Sequence, residues 1–163
     1  MPSFFDTYSP SILAIPAYYI LSVFPHSYAL NIATNGKVLK WDNRNPRSTT
    51  LKSRLKDKLD AETFAQYERA EACHANGMEN LPLFAAAIIL GNMVGLKKEG
   101  FGGMTGFAGT FLAVRLAYTA VYLTHKTQGP TVLRSGLWVA GVGLCFRVLF
   151  KAARALGADK AGF

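Results

Sequence analysis

The sequence predicts an all-α fold: an integral membrane four-helix bundle in a single domain over residues 1–163. Three observations predict it. Charged residues make up 17% of the chain against 50% hydrophobic residues, and soluble domains usually carry roughly 25% charge. The mean hydropathy of only +0.16 hides a sharp partition, because charge concentrates between Lys37 and Glu79. Outside that belt lie four stretches nearly free of formal charge. Each approaches the roughly 20 residues that cross a hydrocarbon core of about 30 Å. They place spans at about 11–33, 78–96, 102–124 and 133–151, with a loop and helix extension over 34–77. A soluble four-helix bundle would show polar helix faces, which these segments mostly lack.

The first span carries Pro16 and Pro25, tolerated in a membrane helix where neighbours re-satisfy the freed carbonyls; a kinked helix is expected. No Lys or Arg precedes Lys37, so the positive n-region of a cleavable signal is missing and the stretch should stay as the first span. The next loop holds Lys37, Lys40, Arg44, Arg47, Lys52, Arg54, Lys56 and Lys58. The positive-inside rule makes that loop cytosolic. Both termini then fall on the far side, and the connection with Lys126 and Arg134 returns to the cytosol; Lys151, Arg154 and Lys160 count against this orientation. Asn35-Gly36 and Asn45-Pro46 mark a turn-rich loop over 37–50, with Trp41 as an interface anchor.

From Asp60, an N-cap residue, good helix formers run into the second apolar segment. A helix over 60–96 would be roughly 55 Å long at 1.5 Å per residue, so its first half should project into the cytosol. Gly77 and Pro82 are expected to bend it, and Lys97-Lys98-Glu99-Gly100 ends it. The third span opens with Gly102 and Gly106 in a GxxxG pair, and the fourth has Gly136, Gly141 and Gly143. Small residues let helix backbones approach closely, which favours a compact bundle and an oligomer. The net charge of +8 sits beside the spans, where anionic lipid headgroups are simpler partners than nucleic acid.

The polar residues inside this frame carry the chemistry. Arg69, Asn76 and Glu79 fall at i, i+7 and i+10, one helix face, at the doorstep of the second span. A charge there needs a partner. Arg115, Thr119 and Tyr122 form a second stripe within the third span. Arg115 either serves a ligand or pairs with Glu79 to hold the bundle in register, and the two roles are compatible. Arg147 lies near a helix end beside Lys151 and can snorkel. Arg134-Ser135 opens the fourth span, as flank charge or as an anion-stabilising pair. His74 projects roughly opposite Asn76, and the three histidines show no metal-ligand spacing. Cys73 and Cys145 make no disulfide framework; Cys145 fills core space, and Cys73 lacks the adjacent cation or helix N-terminus that would activate a thiol.

Glu68-Arg69, His74-Ala-Asn76-Gly-Met-Glu79-Asn80 and Pro82, followed by Arg115, Thr119, Tyr122 and Arg134-Ser135, resemble the MAPEG family, membrane-associated proteins in eicosanoid and glutathione metabolism. The resemblance covers all four spans. It implies a homotrimer of four-helix subunits with glutathione, as co-substrate, bound between subunits near the cytosolic side. It implies that Asn76 and Glu79 hold the glutathione backbone, that Arg115 and Tyr122 contact or frame it, and that Lys37 meets a carboxylate. Arg69 and His74 belong to the same motif and are carried as binding residues. Arg134 resembles the arginine placed near the thiol, and Ser135 a serine with a catalytic role in the prostaglandin synthase branch. The chemistry agrees: arginine takes carboxylates through a bidentate fork, Glu79 can accept from the ammonium, and a fixed cation favours the nucleophilic thiolate.

Departures narrow the reading. Ala72 and Ala75 stand where several catalytic members carry arginine, Trp138 stands where the prostaglandin synthases have tyrosine, and the connection from Tyr122 to Arg134 is longer than in the eicosanoid synthases. These differences imply a general glutathione transferase or peroxidase acting on lipophilic electrophiles or lipid hydroperoxides, with the endoplasmic reticulum, or else the outer mitochondrial membrane, as its site. The rival is a non-catalytic lipid-binding scaffold of the same fold. No metal is implied.

Overall fold

The computed structural model describes residues 8–158 apart from 47, 99 and 101. Arg47, Glu99 and Lys160, named above, lie outside the described residues. Helix α1 (Pro10–Ala33) starts on a proline suited to a first turn and continues through Pro16 and Pro25. A single 3₁₀ turn, Val38–Lys40, follows. Then come α2 (Thr49–Lys58), α3 (Ala61–Met93), α4 (Met104–Thr124) and α5 (Gly129–Ala158). Helix α2 fills the stretch between the turn-rich loop expected over 37–50 and the helix expected from Asp60. Its start is fixed by Ser48, whose hydroxyl accepts from the Leu51 N–H at 3.1 Å. Asp60 caps α3 as expected, accepting from the Thr63 N–H at 2.9 Å.

Helix α3 has 33 residues, about 50 Å at 1.5 Å per residue. It runs antiparallel to α1, and a ladder of polar contacts records the register. Asn92 donates to Ser11 Oγ at 3.1 Å, Tyr18 donates to the Gly77 carbonyl at 3.2 Å, and Gln66 donates to Tyr28 Oη at 2.7 Å. The helices come closest at Gly77, where a Cβ would sit 2.8 Å from the Ser22 Cβ and Oγ. Only glycine fits such an approach.

Two apolar clusters hold the bundle. In one, Phe84 of α3 and Phe111 of α4 stack with centroids 4.1 Å apart, and Tyr18 of α1 meets both edge-on. Met104, Cys145 and Val148 close it. In the other, Leu55 of α2 packs with Ala29, Phe64, Tyr67 and Ala70. Trp41 packs against this second cluster, 6.5 Å from the Tyr67 ring. The α4–α5 connection reaches the same end, where Lys126 pairs with Glu62 at the foot of α3.

Among the described residues three helices are long and apolar enough to cross a membrane: α1, α4 and residues Thr131–Ala158 of α5. Helix α3 falls short, because Asn76, Glu79, Asn80, Pro82 and Asn92 dilute its apolar segment. Large apolar side chains stand exposed on the other three, among them Ile20, Leu116, Val139 and Phe150. Water would reject that surface and lipid accepts it. Of the GxxxG pair, Gly102 precedes α4 and has nothing within 4 Å of a built Cβ. Gly77 and Gly91 make close approaches, whereas Gly109, Gly136 and Gly143 face open space.

Candidate functional site

Arg115 is the one charged residue buried among the described residues. Its side chain points from α4 into the bundle and is only 2% exposed. Nη2 donates to Asn76 Oδ1 on α3 at 2.9 Å. The guanidinium carbon lies 4.3 Å from the Tyr118 ring centroid and 5.5 Å from that of Tyr18, and desolvated cation–π contacts are worth up to about 2 kcal/mol. Nε is buried without a partner. The alternative ion pair with Glu79 does not form: Glu79 is exposed and makes no hydrogen bond or ion pair among the described residues. Asn76 is itself braced by Asn80, whose amide donates to the Asn76 carbonyl at 2.8 Å.

Two adjoining clefts open at this end of the bundle, and Asn76 lines one of them. The larger, about 690 Å³, lies between α2, α3 and the α4–α5 end, and Tyr67, Glu68, Arg69, Glu71, Tyr122 and Arg134 line it. The smaller, about 470 Å³, is bounded by Asn76, Tyr118, Tyr122, Arg134, Ser135 and Trp138. Both volumes lie in the range of small-molecule sites, about 300–1,000 Å³. Arg134 and Tyr122 belong to both. The Arg134 guanidinium carbon stands 4.5 Å from the Tyr122 ring centroid, so the aromatic face positions a cation where the clefts meet. Arg134 makes no ion pair among the described residues. Arg69 lines the larger cleft with a buried, unpartnered Nε. Glu68 is taken by Lys52 at 2.7 Å, and Glu71 by His26 at 2.8 Å.

The structure therefore gathers Arg69, Asn76, Tyr122, Arg134 and Ser135 around two adjoining clefts, with Arg115 behind Asn76. Lys37 is exposed after α1 and lines neither cleft. His74 turns toward α1, its Nδ1 donating to the Ser22 carbonyl at 2.8 Å. Cys73 is buried and donates to Thr119 Oγ1 at 3.9 Å. Tyr118 went unnoticed in the sequence, although its i+3 spacing from Arg115 was a usable signal. Tyr18 and Glu71 gave none, since their roles depend on contacts between α1 and the rest of the bundle.

Tyr67, outside the spans, has its hydroxyl pushed up to about 12 by burial and by Glu71 and Glu68 nearby, so it stays a neutral wall of the larger cleft at physiological pH.

An all-helical membrane protein with a buried arginine and a cation at the junction of two clefts is the class that fold and geometry define. The chain belongs to the MAPEG family, whose family model matches residues 11–154. Comparisons with curated proteins and with solved structures gave no match. Membership makes it an integral membrane protein and supports a function in glutathione or eicosanoid metabolism in general terms.

Proposed function

We propose that the protein is a membrane-bound glutathione transferase, with peroxidase capacity, that presents glutathione thiolate to lipophilic co-substrates. One observation carries this reading: the Arg134 guanidinium, free of any carboxylate partner among the described residues, stands on Tyr122 where the two clefts meet. The larger cleft carries Arg69, Glu71 and Arg134 on its wall and suits a charged tripeptide. The smaller adjoins Trp138 and Val139, exposed apolar side chains on a membrane helix, and suits a molecule arriving from lipid.

Glutathione supplies a nucleophilic sulfur. Arg134 favours its thiolate, because a cation within about 4–6 Å raises the thiolate-to-thiol ratio roughly ten- to a thousandfold. Asn76, whose Oδ1 accepts from Arg115 at 2.9 Å and from Asn80 at 3.4 Å, offers an oriented amide. Arg69 serves a carboxylate and His74 steadies α3 against α1, while Lys37 and Glu79, outside both clefts of one subunit, reach glutathione bound between subunits. Ser135 stands beside Arg134 and can donate to an oxygen developing charge on the co-substrate. In conjugation, sulfur bonds to carbon as the leaving group departs with its electron pair. In peroxide reduction, two glutathione molecules and one hydroperoxide give the disulfide, an alcohol and water.

The same reading includes four membrane spans with α3 as the second, a homotrimer, and an endoplasmic reticulum location with both termini away from the cytosol. The basic belt supports the orientation. The open-faced Gly109, Gly136 and Gly143 support close packing against neighbouring subunits.

The test is an ultraviolet difference titration of the detergent-solubilised protein with glutathione at neutral pH. A saturable thiolate band that Arg134→Ala removes, with oligomeric state unchanged, is the expected result. Absence of glutathione binding would refute the reading and favour a lipid-binding scaffold of the same fold.

A further inference from the structure

Glu71 lies on α3 outside the residues that the sequence motif assigns. It lines the larger cleft, and its side chain is 31% exposed. One oxygen, Oε1, is 2.8 Å from His26 Nδ1. A carboxylate has no proton to give, so the imidazole donates and the bond fixes the ring's tautomer. His74 lies alongside, ring centroids 5.1 Å apart, and is itself tied to the Ser22 carbonyl. His26 is thereby held from two sides and in turn orients Glu71. The second oxygen, Oε2, makes no hydrogen bond among the described residues.

The charges around that oxygen are uneven. Glu68, the other carboxylate on the cleft wall, is occupied by Lys52. Arg69 and Arg134 face the same space without a carboxylate partner among the described residues. One available carboxylate oxygen thus faces two available cations. A simple anion meets Glu71 and a simple cation meets the arginines, so both are disfavoured. A group bearing an ammonium and a carboxylate together satisfies both ends.

We propose that Glu71, positioned by His26, accepts the ammonium of the zwitterionic γ-glutamyl end of glutathione, with Arg69 on its carboxylate. This rests on the glutathione reading above and moves the ammonium from Glu79, which lines neither cleft, to a half-buried carboxylate where a charge-assisted bond is stronger.

The experiment compares calorimetric binding of glutathione with that of its des-amino analogue, glutaryl-cysteinyl-glycine, to the full chain in detergent. Wild type should prefer glutathione at least tenfold, the range for a hydrogen bond to a charged group. Glu71→Gln should weaken glutathione about ten- to a hundredfold and leave the analogue within about twofold. A structural lesion would weaken both. His26→Asn retains a donor and should keep the preference, whereas His26→Phe should reduce it. Equal wild-type affinity for the two compounds overturns the proposal without any variant, as does a preference that survives Glu71→Gln and vanishes in Glu79→Gln. Binding of neither compound would instead bring down the glutathione reading itself, and the proposal with it.

Discussion

The Asn76–Arg115 contact offers the sharpest test of how the bundle tolerates a buried cation. Arg115 is 2% exposed and has one directional bond, at 2.9 Å to Asn76 Oδ1. Asn76→Ala removes it while Nε is already unpartnered, leaving ring faces as the cation's main support. A hydrogen bond to a charged group is worth about 1.5–3 kcal/mol, so Asn76→Ala should cost about 2 kcal/mol and lower Tm by roughly 4–8 °C. Arg115→Met removes the charge and keeps the bulk. In that background Asn76→Ala has little left to lose, and its effect should fall below about 0.5 kcal/mol. Thermal unfolding of the four proteins in detergent, followed by circular dichroism, gives the cycle. Equal effects of Asn76→Ala in both backgrounds would show that the contact carries no stability.

Three further outcomes follow from the same packing. Gly77→Ala drives a methyl to 2.8 Å from Ser22 Cβ and 3.2 Å from its Cα, so it should destabilise by about 1–3 kcal/mol; adding Ser22→Gly should recover part of the loss in the same melts. The Asp60 carboxyl is held below the usual aspartate range chiefly by the hydrogen bond to Thr63. Its cap is present above the unfolded value and is lost as pH falls through the lower folded one. The Tm gap between wild type and Asp60→Ala should therefore be open at pH 7 and close toward strongly acid pH. Cys73 and Cys145 are 2% and 0% exposed, so both should resist maleimide in the folded protein and react only on unfolding, as mass spectrometry of labelled peptides would show.

Much of this architecture was legible because local rules and global packing agree. Asp60 caps α3 through the predicted bond, Pro16 and Pro25 sit within α1, and Arg115 faces the Asn76 stripe. The exceptions share a cause. Helix α2 has only Ser48 and the Leu51–Leu55 pair to announce it, too short a period to separate from a loop rich in turn residues. The choice of Asn76 over Glu79 for Arg115 depends on how α3 rotates against α4, which spacing along either helix leaves undetermined. The His26–Glu71 bond joins elements far apart in the chain, and no periodicity signals such a pairing.

The seat of Arg115 also bears on how the chain enters a bilayer. An arginine at the centre of a membrane helix costs about 2.5–3.5 kcal/mol on insertion scales. Tyr18 and Asn76, its partners from other helices, both precede it in sequence, and Tyr118 follows on the same helix. When α4 emerges during synthesis, the ring and amide that receive its cation have already been made. The order of the helices along the chain lets the receptor for the charge form before the charge arrives.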